Sequence, residues 1–187
     1  FYTGTNDYTR IYQIYSGIYV NVHHNKRMPY IRGDGLFVPT GFSSNVAVFR
    51  TAYKKLPSPF SDCRKDTTIA LESDSAYFKQ ALKYTSYSQS FCFEICFQYE
   101  KIIPQCGCAD PSVQVGLLDA DVGNIAFCTN ITQLDCIQTL RSSYDTREAC
   151  ESACPFECDS TDYDLTMSQA DYPTSDYDTV GAQRSDR

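Results

Sequence analysis

Apolar and polar positions divide the chain into two parts with different periods. In the first, Ile18, Val20 and Val22 alternate with Tyr19, Asn21 and His23, a two-residue period that predicts a half-buried strand. Residues 45–56, NVAVFRTAYKKL, form a denser apolar run, which predicts a strand covered on both faces. Pro57 and Pro59 stop it. LPSPFSDC (56–63) then reads as a stiff connector, because each proline fixes its own φ and biases the residue before it toward extended backbone. Between Ser86 and Ile103 the period lengthens. Cys92, Ile95, Cys96, Tyr99, Ile102 and Ile103 recur at helical spacing, while Glu94, Gln98 and Lys101 fall elsewhere on the wheel. This predicts an amphipathic helix ended by Pro104. Thr132 with Asp135, and Asp145 with Glu148, resemble helix-start capping pairs and predict two shorter helices. After Cys158, Tyr163, Leu165 and Met167 alternate with Asp162, Asp164 and Thr166, a return to strand. The polar residues 174–187 are expected to be poorly ordered.

Composition adds a compartment. The 187 residues, 42% apolar and 14% aromatic, suffice for one folded domain with a core. Ten cysteines in a chain of this size point to an oxidising environment. Zinc is the other use for so many thiols, but it favours CxxC knuckles with histidine partners. Here the spacings are CxxxC, CxC and CxxxCxxxC, and the two histidines, His23 and His24, are adjacent and remote from all of them. No metal site is expected. A net charge of −7 argues against a nucleic-acid or anionic-membrane partner, either of which calls for a basic face. No apolar run approaches the roughly 18 residues of a membrane span. Phe1 is not an initiator methionine, and cysteine usage requires export, so the expectation is a piece of a longer protein with its targeting signal elsewhere.

The cysteines carry the most information. Cys92 and Cys96 stand four apart on one predicted helix face, and Cys150 and Cys154 repeat that spacing. Two such faces laid antiparallel bring Cys92 to Cys154 and Cys96 to Cys150. Continued outward, the nesting pairs Cys63 with Cys158; inward it leaves Cys106, Cys108, Cys128 and Cys136 for the connecting loop. Ten thiols admit roughly 945 pairings, so the nested order is a geometric preference.

The order of these elements resembles a known family. LPSPFSDC, then SFCFEICFQYEKIIPQCGC, then CESACPFECDSTDYDLTMSQADYPT are similar to the thumb and adjoining palm of the degenerin, epithelial sodium channel and acid-sensing ion channel family. Residues before the proline element, from GIYVNVHH to NVAVFRTAYKKL, resemble its β-ball and palm strands, so the likeness covers roughly residues 15 to 175. It implies the pairs Cys63–Cys158, Cys92–Cys154, Cys96–Cys150, Cys106–Cys136 and Cys108–Cys128. It also implies an α+β, disulfide-rich extracellular domain with a mainly antiparallel β part and a helical thumb stapled by five disulfides. The expected organisation is palm and β-ball strands over 1–56, the connector and thumb over 57–158, and a return palm strand with a polar tail over 159–187. By the same resemblance the function is that of the extracellular portion of a trimeric, amiloride-sensitive-type sodium channel subunit at the plasma membrane. The trimer could be homomeric or heteromeric, and sodium would pass through a pore outside this stretch. A secreted cysteine-rich binding or adhesion module without membrane spans is the alternative.

Individual residues follow. Phe60 holds the place where many members of the family carry a tryptophan that contacts the outer end of the first membrane helix, which implies a role in thumb-to-pore coupling; an ordinary packed aromatic beside two prolines is the simpler reading. Asn130-Ile131-Thr132 is the only N-x-S/T sequon, making Asn130 a candidate glycosylation site. Arg32-Gly33-Asp34 spells an adhesion tripeptide, but as a glycine-containing turn between two strands it needs no receptor. The Asp pairs around Tyr163 and Tyr177 lack the glycine and terminal glutamate of a calcium loop. Catalysis is not expected. A fully paired ladder leaves no thiol for a Cys–His pair, and no phosphate loop, GxSxG or HExxH occurs, so no cofactor is implied either.

Overall fold

The computed structural model describes residues 16–29, 34–84, 86–144 and 150–172. The chain divides into two compact units, Phe1–Val22 with Ile31–Thr51 and Asp162–Arg187, and His23–Tyr30 with Ala52–Thr161.

The first unit is built from strands. β1 (Gly17–Val20) pairs antiparallel with β2 (Leu36–Pro39), Gly17 opposite Pro39 and Val20 opposite Leu36. Gly17 has no room for a side chain, since a Cβ there would stand 2.4 Å from the Val38 carbonyl oxygen and 2.6 Å from the Phe37 ring. Gly41, at φ +82°, makes the turn into β3 (Phe42–Lys54), a conformation that favours glycine. β3 pairs with β4 (Asp159–Asp171). Tyr172 N–H donates to the Gly41 carbonyl at 3.0 Å and Lys55 N–H to the Cys158 carbonyl at 2.8 Å, so the ribbon is antiparallel and in register from end to end. Tyr163, Leu165 and Met167 alternate as half-buried residues with exposed Asp162, Asp164 and Thr166, the pattern expected of that segment.

Two strand expectations are corrected. β1 ends at Val20 with Ile18 and Tyr19 exposed, so no half-buried alternation reaches Val22. The dense apolar run of residues 45–56 does form a strand, but one exposed on both faces, with Val48, Phe49 and Tyr53 among its exposed side chains. Among the described residues it pairs with a single neighbour, and a second strand alone does not cover a sheet face. The buried residues among those described all lie between Cys63 and Cys158.

The second unit is helical. α1 (Ala76–Tyr84) was not foreseen from the pattern; its signal is Ser75, whose Oγ accepts the Phe78 N–H at 3.0 Å as a serine cap does, with Phe78 and Ala81 fully buried behind it. α2 (Gln89–Phe97) follows and is not amphipathic. Phe91, Cys92, Glu94, Ile95, Cys96 and Phe97 are all buried, as in a helix at the centre of a core. Glu94 and Gln98, assigned by the pattern to an outer face, are 4% and 0% exposed. Nor does Pro104 end the helix. A π turn (Gln98–Ile102) intervenes, and α3 (Ile103–Cys106) carries Pro104 in its first turn, where the missing N–H is not needed and the wider turn relieves the ring's clash with the preceding carbonyls. The stop is Gly107, left-handed at φ +70°, its N–H bonded to the Ile103 carbonyl at 3.0 Å. After two 3₁₀ turns (Pro111–Gly116 and Asp119–Asp121), α4 (Ile131–Ser143) completes the unit. Its cap is Asn130 with Gln133, two residues ahead of the expected Thr132 pair. The Asp145 and Glu148 pair, the tail from 174 onward, and Arg32 and Gly33 of the tripeptide lie outside the described residues.

We expect this contrast in burial to appear in amide hydrogen exchange of the chain studied alone. Amides of α2 should be the slowest to exchange, and those of β3 and β4 beyond the helical unit should exchange orders of magnitude faster. Equal protection of the ribbon and α2 would show that the exposed strands are covered in solution.

Candidate functional site: a disulfide ladder and a buried arginine clamp

The helical unit is organised around α2. Its two cysteines bond Cys92 to Cys154 and Cys96 to Cys150, with Cα–Cα separations of 5.8 and 6.0 Å. Outward lies Cys63–Cys158, inward Cys106–Cys136 and Cys108–Cys128. These are the five pairs that the family resemblance implies, and no cysteine is free. The bridges span 95, 62, 54, 30 and 20 residues, each inside the last. By the chain-entropy account the outermost closure restricts the unfolded chain by about 4–5 kcal/mol.

On the face of α2 away from Cys92 and Cys96 is a buried ionic cluster. Arg141 of α4 donates from Nη2 to Glu94 Oε2 at 2.7 Å and to Asp110 Oδ2 at 2.9 Å; Nη1 reaches Glu94 Oε1 at 3.3 Å and Nε reaches Asp110 Oδ2 at 3.2 Å. One guanidinium thus holds two carboxylates from α2 and from the loop after Cys108, using the forked geometry that lysine lacks. Asp110 is 0% exposed and also accepts from the N–H and hydroxyl of Ser112 at 2.8 and 2.7 Å. Its own N–H donates to Gln98 Oε1 at 2.9 Å. Burial alone would raise the Asp110 carboxyl, but the bonds from Ser112 and Arg141 outweigh it and hold it below the ordinary range. Burial likewise works against the Arg141 charge, and the two carboxylates more than restore it, pushing its pKa above the usual value.

A second ionic group ties Arg27 to the residue that precedes Cys158. Arg27 donates to Glu157 Oε1 and to the Thr161 carbonyl, each at 3.3 Å. Glu157 Oε2 accepts the Gln89 N–H at 3.2 Å. That carboxylate caps the start of α2, whose own preceding residue Ser88 makes no side-chain cap. Tyr87 nearby is buried, and desolvation first, then the Glu157 charge, pushes its phenol up. Arg64, next to Cys63, exchanges backbone bonds with Phe156 and Cys158. Its side chain gathers the following loop, donating to the Asp66 carbonyl at 2.7 Å, the Ile69 carbonyl at 2.8 Å and Asp74 at 2.5 Å. Farther along, burial raises the phenols of Tyr77 and Tyr99 to about 12, helped by hydrogen bonds to Glu100 and Asp121 respectively; the Leu118 N–H, which donates to the Tyr99 oxygen, works against that rise.

Phe60 sits on the connector before this unit. Its N–H donates to the Pro57 carbonyl at 3.1 Å, and Ser61 Oγ donates to the Leu56 carbonyl at 2.6 Å. Phe60 is 76% exposed. Asn130 is exposed at the start of α4. Glu94, Asp110 and Arg141 were not singled out by sequence reasoning. Only the breadth of α2's apolar positions hints that Glu94 must be buried and therefore paired. Among the described residues, no group of three or more His, Cys, Asp or Glu side chains is placed to hold a metal ion, and no helix is long and apolar enough to cross a membrane.

Replacing Arg141 by methionine leaves two buried carboxylates without a partner, and we expect a loss of about 3–5 kcal/mol in the disulfide-intact protein, read by thermal or denaturant unfolding under non-reducing conditions. The pH dependence has a definite sign. Because the folded pKa of Asp110 lies below its unfolded value, its contribution is complete above about pH 4 and is lost as pH falls through the folded pKa. Wild-type stability should drop over that acidic window, and Arg141→Met should flatten the drop. An unaltered melting curve for the variant would show that the cluster holds nothing together.

Comparison with known proteins places the whole chain. Residues 2–185 match the amiloride-sensitive sodium channel family. The chain is 28% identical over 167 residues to degenerin del-1 of Caenorhabditis elegans, covering 88% of this chain and 23% of that protein. Against the epithelial sodium channel subunit beta of Bos taurus it is 26% identical over 175 residues, 91% of this chain and 25% of the relative. Against the subunit gamma of Neoceratodus forsteri it is 30% identical over 174 residues, 92% and 25%. The chain therefore spans about a quarter of the length of these relatives.

Proposed function

Because the chain belongs to the amiloride-sensitive sodium channel family, we propose that it is the extracellular portion of a sodium channel subunit, in which the stapled helical thumb passes stimulus-driven movement to a pore formed elsewhere in the subunit. The observation that carries the proposal is the family match over residues 2–185. Family membership favours this reading over a secreted module. We further propose that such subunits assemble as homo- or heterotrimers in the plasma membrane, with this stretch on the outer face.

The geometry is what a transmitting element requires. A force applied at one end of a deformable body is absorbed locally, whereas five nested bridges and a buried arginine clamp oblige the helical unit to move as one piece. Phe60 is suited to the output contact. It projects from a hydrogen-bonded turn between two prolines and the Cys63–Cys158 bridge, and it leaves most of its ring uncovered. An exposed aromatic on a stiff mount buries large area against a partner at little entropic loss.

Two measurements on the complete subunit test the proposal. Phe60→Ala should reduce stimulus-evoked, amiloride-blockable current several-fold with surface expression near normal, and Phe60→Trp should restore it. Parallel loss of current and surface protein would assign Phe60 to folding instead. The second concerns protons. In the acid-sensing branch of the family, acidic side chains stand two and six positions beyond the residue that aligns with Cys136; here those positions are Gln138 and Ser142, both exposed on α4. Neither titrates, so the mutual repulsion that proton uptake would relieve is missing on this side. We expect no thumb-dependent inward current on stepping from about pH 7.4 to about pH 5.5. A robust current abolished by replacing Asp135 and Asp145 with Asn would contradict this.

A further inference from the structure

The sequon Asn130-Ile131-Thr132 and the start of α4 are the same residues, and the fold uses only part of the Asn130 side chain. Asn130 Oδ1 accepts the Gln133 N–H at 2.9 Å, while Gln133 Oε1 accepts the N–H groups of Thr129 and Asn130 at 3.1 and 3.4 Å. This reciprocal capping box satisfies donors that begin every helix without partners. Nothing in it engages Nδ2, which makes no hydrogen bond among the described residues. Because the side-chain amide is planar, fixing its oxygen toward the helix directs its nitrogen away from it. Asn130, Ile131 and Thr132 are all exposed, Ile131 by 49%. Cys128 and Cys136, bonded to Cys108 and Cys106, anchor the segment on either side.

We infer that Asn130 is an N-glycosylation site in which one amide serves two purposes: Oδ1 caps α4, and Nδ2 carries the glycan. The inference rests on the extracellular reading given above, since glycosyl transfer requires export. The donor class is an oligosaccharide linked to a polyisoprenyl diphosphate. Nδ2 attacks the anomeric carbon, the bond from that carbon to the diphosphate oxygen breaks, the lipid diphosphate leaves with the electron pair, and one amide proton passes to a base. The product keeps its carbonyl oxygen and one N–H, so the cap survives the modification. The first sugar then stands beside Ile131 and can cover an apolar side chain that the protein leaves in water. A sequon requires a hydroxyl residue two positions on and no proline between; Thr132 and Ile131 meet both conditions.

The test separates glycan from cap. In the full-length subunit expressed in glycosylating animal cells, peptide-N-glycosidase digestion in heavy-oxygen water should convert Asn130 to labelled aspartate, read in the peptide that contains it. Thr132→Ala removes the hydroxyl and should abolish the label while leaving the cap. Asn130→Asp should also lose the glycan but keep the cap, because a carboxylate is an equally good acceptor at that position. Asn130→Ala loses both, and only this variant should show faster amide exchange in the first turn of α4. An unmodified Asn130 in a chain with all five bridges present would overturn the inference and leave the extracellular reading intact. An unmodified Asn130 with free thiols throughout would overturn both.

Discussion

Everything in the helical unit follows from a helix that is held on two opposite sides. At about 100° per residue, the midpoint of Glu94 and Gln98 lies about 200° around α2 from that of Cys92 and Cys96. One side is fixed covalently, to Cys154 and Cys150. The other presents a carboxylate and an amide to the interior, where neither is tolerated without partners. Arg141 pairs with the Glu94 carboxylate, and the Asp110 N–H donates to the Gln98 side-chain oxygen. The covalent side limits how far the chain can separate when unfolded, and the ionic side selects one arrangement of α4 and the Asp110 loop when folded. Hydrophobic burial fills the space around both, with Phe78, Phe91 and Ile95 packed beside the Cys92–Cys154 and Cys96–Cys150 bridges and Phe97, Ile102 and Leu140 beside the two inner bridges.

Covalent spacing was legible in the sequence; ionic pairing was not. Two CxxxC faces at equal intervals leave few nested arrangements, and the remaining order was carried by family resemblance. Glu94 misled because helical periodicity counts a charged residue as an outward one. The rule fails where a helix is surrounded, and it is the partner, here 47 residues away in sequence, that makes burial of the charge tolerable. Local grammar was likewise only partly readable. Thr132 has the composition of a cap, but the cap is Asn130, because Gln133 answers its side chain and its backbone at once. Pro104 was read as a stop, and the π turn ahead of it removed the conflict that would have made it one.

Burial is distributed unevenly, and the strands show it most. β3 carries as many apolar side chains as a core strand, yet Val48, Phe49 and Tyr53 remain exposed. Apolar density predicts that a strand is to be covered, not that the cover belongs to the same stretch of chain.

The concentric order of the bridges also sets how the molecule can be made. During synthesis from the amino terminus, Cys128 is the first cysteine to emerge after Cys108, its partner, and Cys136 then finds Cys106. Each closure bypasses the residues it encloses. The 54-residue span between Cys96 and Cys150 is thereby shortened by the 30 already tied off, which lowers the entropy to be lost in bringing those two sulfurs together. The same gain is inherited by Cys92–Cys154 and finally by Cys63–Cys158. A nested ladder can therefore zip from its centre outward in the order the ribosome delivers it, and no native bond need be broken to admit the next.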